Sequence, residues 1–128
     1  MSDYGMGLIY LAFCLFYEAK GEPIEGMVAV GHVIVTRARE RNMSVEAVIT
    51  QPHQFSWYKK GISFDIPERE VKYFARCIQA AHILAQEILD GKDLDGANHY
   101  YNPHKVSPTW ASKMEVVARI GNHVFLRG

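Results

Sequence analysis

The sequence predicts an α+β domain that is mainly α, with helices around one core and a small β-hairpin or sheet beside them. Three observations carry this expectation. An apolar run from Leu8 to Tyr17 halts at the charged break EAKGEP and then resumes through Val35. The resumed stretch has only Glu25, His32 and Thr36 as polar side chains between Ile24 and Thr36, and a helix apolar on nearly every side is a central one. After Gly91 the helical period gives way to weak alternation, with Gly121-Asn122 placed as a hairpin turn between two short apolar runs.

Taken in order, helix one starts near Ser2 or Asp3, either of which can cap it, and carries Leu8, Ala12, Leu15 and Ala19 at the helical period. It ends by Gly21, a residue suited to the left-handed position after a helix end. Pro23 then suits the first turn of helix two. Helix two runs from about Pro23 to Arg41, and Arg37, Arg39 and Arg41 mark the end where it emerges into water. Ser44 can cap a short third helix, Val45 to Ile49. The stretch Gln51 to Tyr58 follows as an aromatic-rich loop. A long fourth helix extends from near Pro67 to Asp90, with an apolar stripe of Val71, Phe74, Ala75, Ile78, Ala81, Ala85 and Leu89, and Gly91 closes it. His82 falls on that stripe and reads as a hydrogen-bonded core residue. Beyond it, Ala97 to Asn102 alternates, Pro108 to Met114 forms a short helix, and Val116 to Leu126 forms the hairpin.

The whole chain bounds the function. Its 128 residues read as one domain, residues 1–128, without repeats or linkers. Hydrophobic residues make up 48% and charged ones 22%, a balance that excludes a disordered chain. With 14 basic and 14 acidic side chains the formal net charge is zero, so neither a nucleic-acid footprint nor a polybasic membrane anchor is expected. The N-terminal apolar run is too short to span a bilayer, and it follows Asp3 rather than a basic region, so no signal peptide is evident. Cys14 and Cys77 lie in apolar helical stretches and read as buried free thiols.

Glu18 is the first carboxylate after ten residues without a charge, and it falls in the last turn of helix one. Desolvation and the partial negative charge of a helix C-terminus both disfavour its anion, so a raised pKa is expected there. A carboxyl that keeps its proton near neutral pH is what a glycosidic oxygen needs as general acid. The same residue could equally be a solvated or ion-paired glutamate, with Lys20, Arg37 or Arg39 as partner. In the loop, Phe55 and Trp57 stand among amide side chains, a mixture that suits a saccharide cleft and equally suits a small hydrophobic cluster beneath the loop.

Other chemistries find less support. The six histidines His32, His53, His82, His99, His104 and His123 invite a zinc-dependent amidase, but no H-E-x-x-H and no close histidine pair on one helix face occurs, so neither metal nor cofactor is expected. No G-x-S-x-G elbow offers a serine nucleophile.

Four ordered stretches resemble one family. EAKGEPIEGMVAVGHVIVTRA resembles the E-A-R-G-E-P-x-x-G-x-x-A-V-A-x-V-x-x-N-R-x segment of the SleB-like cell-wall hydrolases, a group of spore cortex-lytic enzymes and phage endolysins. QPHQFSW is similar to its Q-x-x-Q-F-S element, HYYNP to its Y-x-N-P element, and IGNHVF to its closing motif. Lys20 stands where the family has arginine and Thr36 where it has asparagine. Lysine keeps the charge and loses the fork geometry, which leaves its partner open.

The resemblance implies a lysozyme-like fold, of the lytic-transglycosylase type, acting on the glycan strands of peptidoglycan as a monomer. It makes Glu18 the general acid, and Glu22 either a second carboxylate or, as favoured here, a structural group satisfying backbone amides at the start of helix two. Gln54, Phe55, Tyr101 and Asn102 carry over as substrate contacts, Trp57 joins them from the loop, and His123 is architectural. A start so close to the catalytic helix suggests a phage endolysin, made in the host cytoplasm and reaching the wall through a holin. With no convincing second acid in the sequence, lytic transglycosylation is expected ahead of hydrolysis by a muramidase. An amidase and a non-catalytic glycan-binding module are the remaining alternatives.

Overall fold

In the computed structural model, residues 3–51, 55, 57 and 66–128 are described. The elements are α1 (Asp3–Ala19), α2 (Ile24–Arg41), α3 (Val45–Ile49), α4 (Val71–Leu89), β1 (His99–Tyr101), β2 (Glu115–Ile120) and β3 (His123–Arg127). A 3-10 turn, Glu68–Glu70, leads into α4, and another, Thr109–Lys113, precedes β2.

Helix α2 is the centre of the molecule, as its composition requires. Every residue from Gly26 through Thr36 is buried, and α1, α3 and α4 pack around it. Contact with α4 is close because Gly31 has no side chain: a Cβ there would lie 2.5 Å from Leu84 Cδ2. Buried polar groups on α2 find partners, His32 Nε2 lying 2.8 Å from Glu87 Oε1 on α4. The helix stops at Asn42, which takes the left-handed conformation at φ 52° and returns its N–H to Ala38 and Arg39 carbonyls. Ser44 caps α3 as expected, its hydroxyl accepting from the Ala47 N–H at 3.0 Å.

The three strands form one antiparallel sheet in the order β1-β3-β2. Tyr100 pairs with Phe125 in the centre of β1, and a bulge between Val116 and Ala118 shifts the register of β2 against β3. Val124, Phe125 and Leu126 are buried, so β3 is the strand through which the sheet joins the core.

Three local expectations are corrected. The buried face of α4 is Cys77, Ala80, Ala81 and Leu84, so the stripe is rotated from the one anticipated, and Val71, Ile78 and Leu89 are exposed. Leu84 is the residue of that face that meets Gly31. His82 is exposed on the far side rather than being a core histidine. Gly21 does not take a positive φ, which among the described glycines occurs at Gly91, Gly96 and Gly121. The chain turns there instead through the Glu22 N–H, which donates to the Ala19 carbonyl at 3.0 Å. Cys14 and Cys77 are buried and free, and burial raises the Cys77 thiol to about 11. No helix among the described residues is long and apolar enough to cross a membrane.

Candidate active site

Glu18 lies in the last turn of α1, half-buried, between Tyr17, which is exposed, and Ala19, which is buried. The carboxylate is not bare in an apolar pocket. The Tyr100 hydroxyl on β1 donates to its Oε1 at 2.5 Å, and burial together with the charge of Glu18 pushes that phenol well above its usual pKa, so Tyr100 remains a donor.

Tyr100 is itself held. The guanidinium of Arg37, on α2, lies 5.8 Å from the centre of the Tyr100 ring. Arg37 Nε donates to the Asn98 carbonyl at 2.8 Å, and burial lowers the arginine from its usual value, while Glu18 is among the groups that act the other way. Asn98, just before β1, is buried and uses each of its polar groups. Its N–H donates to the Leu126 carbonyl, its amide to Glu40 and the Gly128 carbonyl, and its side-chain oxygen accepts from the Gly128 N–H and the His99 ring. Helix α2 and the sheet are thereby fixed to each other at the point from which Tyr100 reaches Glu18.

Glu22 does a different job from Glu18. It is 6% exposed, and its Oε1 accepts from the Asn122 N–H at 2.7 Å and from His123 Nδ1 at 3.3 Å, while Oε2 accepts from the Asn122 amide at 2.8 Å. Burial raises its pKa, but the two Asn122 bonds and His123 outweigh that, and it lies below the ordinary carboxylate value. The amides it satisfies belong to the β2–β3 turn, not to the start of α2 as expected. Gly121 makes room for this: its φ is 59°, and a Cβ would sit 2.5 Å from Glu22 Oε1 and 3.0 Å from Pro23 Cδ. His123 is architectural in the same sense, buried and edge-on to the Tyr100 ring at 5.4 Å.

The remaining sequence candidates divide. Phe55 is buried, and Trp57, half-buried, lies 5.9 Å from it and stacks on Tyr17 at 4.7 Å with 18° between the planes. The hydrophobic-cluster alternative for these two residues is the one their contacts describe. Gln54 lies outside the described residues. Tyr101 is on the opposite face of β1 from Tyr100, as strand alternation demands, and packs edge-on to Trp110 at 5.8 Å. Asn102 spends its side-chain oxygen on the His104 N–H at 2.9 Å, closing the turn after β1. Lys20, whose partner was open, pairs with Glu70.

Sequence reasoning missed Tyr100, and the signal was present. Laid on HYYNP, the Y-x-N-P pattern puts its tyrosine at Tyr100 and its variable position at Tyr101. Arg37 was read as part of a solvated helix end, whereas it is turned inward. Among the described residues, no group of three or more His, Cys, Asp or Glu side chains is placed to hold a metal ion.

Comparison with known proteins identifies the family and the fold. The Cell Wall Hydrolase family matches residues 21–126. The spore cortex-lytic enzymes of Halalkalibacterium halodurans and Bacillus subtilis are each 30% identical over 118 residues, covering 90% of this chain and 33% and 35% of their own lengths. The chain thus spans about a third of the curated relatives it matches. Among solved structures, the catalytic domain of the Bacillus cereus SleB protein superposes with a TM-score of 0.72 at 26% identity, covering 94% of this chain and 89% of that one. The catalytic domain of the germination-specific lytic transglycosylase SleB from Bacillus anthracis gives the same TM-score at 25% identity, covering 99% and 97%. With nearly its full length matched in sequence and in fold, the chain belongs to the Cell Wall Hydrolase family.

Proposed function

We propose that this chain cleaves the bond between N-acetylmuramic acid and N-acetylglucosamine in peptidoglycan as a lytic transglycosylase, with Glu18 as its single acid and base. The observation that carries the reading is the division of labour between the two motif glutamates. Glu18 is half-buried with one oxygen held by Tyr100, whereas both oxygens of Glu22 are occupied by the hairpin turn. Glu70, which stands near the same helix end, is paired with Lys20. A two-carboxylate glycosidase needs a second acid roughly 5 to 9 Å across the scissile bond, and neither Glu22 nor Glu70 is available for that task.

One carboxyl suffices if the nucleophile belongs to the substrate. With Oε1 fixed by Tyr100, Oε2 of Glu18 carries the proton to the glycosidic oxygen, and the N-acetylglucosamine leaves as an alcohol. The resulting carboxylate then takes the proton of the muramic C6 hydroxyl as that oxygen bonds to C1 of its own ring. Glu18 ends protonated, as it began, and no water is consumed. Because the attacking group is already tethered, much of the entropic barrier to a bimolecular attack is absent. The family resemblance and the name of the Bacillus anthracis structural relative support the same reaction. The phage setting suggested by the sequence is a separate matter, since the relatives described above are spore cortex-lytic enzymes by name.

Mass spectrometry of digested purified peptidoglycan tests the reading. The expected products end in 1,6-anhydro-muramic acid, about 18 mass units lighter than hydrolysed ends because the nucleophile is intramolecular, and Glu18→Gln yields none. A digest with only reducing muramic ends would show hydrolysis, and release of stem peptides without glycan cleavage would show an amidase.

A further inference from the structure

The three aromatic rings beside Glu18 form a graded series. Phe55 is 5% exposed, Trp57 is half-buried against it, and Tyr17, stacked on Trp57, is 43% exposed. The series runs from the core to the surface and ends on a ring in water. Tyr17 is held from two sides, stacked on Trp57 and edge-on to Phe16 at 5.3 Å, so its orientation is fixed while much of the ring stays in water. Consecutive helical residues project about 100° apart, so ring and acid start from adjacent Cα atoms in the last turn of α1 and diverge, Glu18 toward Tyr100 and Tyr17 toward Trp57.

We infer that Tyr17, backed by Trp57, is a stacking platform for a pyranose ring of the glycan strand next to the bond that Glu18 cleaves. This rests on the proposed glycan substrate and adds a binding residue to it. The chemistry fits the ligand. A pyranose offers a face of axial C–H groups with partial positive charge, and an aromatic face carries the complementary quadrupole. A tyrosine already stacked on a tryptophan is also rigid, so little side-chain freedom is lost when a sugar settles on it. Selectivity follows from shape, because the platform accepts the flat apolar face of a saccharide and gives a peptide stem nothing of matching form.

The test uses the full chain and two readouts. In a Glu18→Gln background, titration with a soluble tetrasaccharide of alternating N-acetylglucosamine and N-acetylmuramic acid is followed by tryptophan fluorescence, with Trp110→Phe to leave Trp57 as the reporter. Adding Tyr17→Ala is expected to weaken binding about three- to tenfold, as loss of one aromatic stacking contact does, whereas Tyr17→Phe binds as the parent. With Glu18 intact, Tyr17→Ala raises KM and keeps kcat. An unchanged affinity, a fall in melting temperature alone, or no binding of the tetrasaccharide to the parent overturns the platform. Tyr17-dependent binding by a wild-type chain that leaves peptidoglycan uncut would instead sustain the platform and overturn the proposed reaction.

Discussion

Glu18 and Glu22 are four residues apart and chemically identical, and their surroundings give them opposite tasks. Tyr100→Phe removes the donor to Glu18 and keeps the ring over which Arg37 sits. Loss of a hydrogen bond to a charged group is worth about 1.5–3 kcal/mol, so glycan cleavage is expected to fall by about tenfold to a hundredfold, with a lowered melting temperature and an unchanged far-ultraviolet circular dichroism spectrum. A full rate in that variant would remove the hydroxyl from the mechanism. For Glu22 the expected loss is in stability. Glu22→Gln disturbs buried bonds to Asn122 and His123 and should cost about 1–3 kcal/mol, while some lysis persists at moderate temperature. The pH dependence has a definite sign. The pKa of Glu22 is lower in the folded chain than in the unfolded one, so its contribution is complete well above about 4.3 and is lost as acid protonates it. Denaturant titrations between neutral pH and pH 3 should show a shallower acid loss in Glu22→Gln. Glu18 was legible in the sequence because an uncharged run ends at it and a family motif begins with it. Tyr100 was legible too, since the Y-x-N-P pattern laid on HYYNP puts its tyrosine there and leaves Tyr101 as the variable position.

At the level of elements, the closest approach is α2 against α4. Gly31→Ala would place a Cβ 2.5 Å from Leu84 Cδ2, and Leu84 is fully buried, with no room to withdraw. Overpacking of this kind costs about 1–3 kcal/mol, and a denaturation midpoint equal to the parent's would show that α4 can shift outward. The same contact explains why helix existence was easy to read and helix orientation was not. Apolar residues on α4 outnumber the positions that face the core, and the sequence pattern favoured the larger ones. The packing selected Cys77, Ala80, Ala81 and Leu84 instead, with Leu84 seated against the bare backbone of Gly31. The hairpin, by contrast, was legible from Gly121-Asn122 alone, since few other residues accept that turn.

Across the whole molecule, the architecture followed from periodicity and one change of pattern, but the candidate site did not, for Glu18 and the residues that hold it are drawn from α1, α2 and β1. No motif spacing can show that Arg37 turns inward to Tyr100. The spacing of the histidines does speak to metal dependence, and activity on purified peptidoglycan is expected to survive a chelator. Complete loss, reversed by zinc, would return the amidase alternative.

The bond from Tyr100 to Glu18 spans 82 residues of sequence, and the one from Asn122 to Glu22 spans 100. Contacts so distant along the chain form late in folding, because the entropy of closing a long loop must be overcome before they contribute. Glu18 is synthesised 82 residues before Tyr100 and therefore receives its holder only when β1 and the hairpin have been made and docked. A nascent chain ending before Tyr100 carries Glu18 without the phenol that orients it. Synthesis order thus sets a delay between the making of Glu18 and the assembly of the site proposed around it.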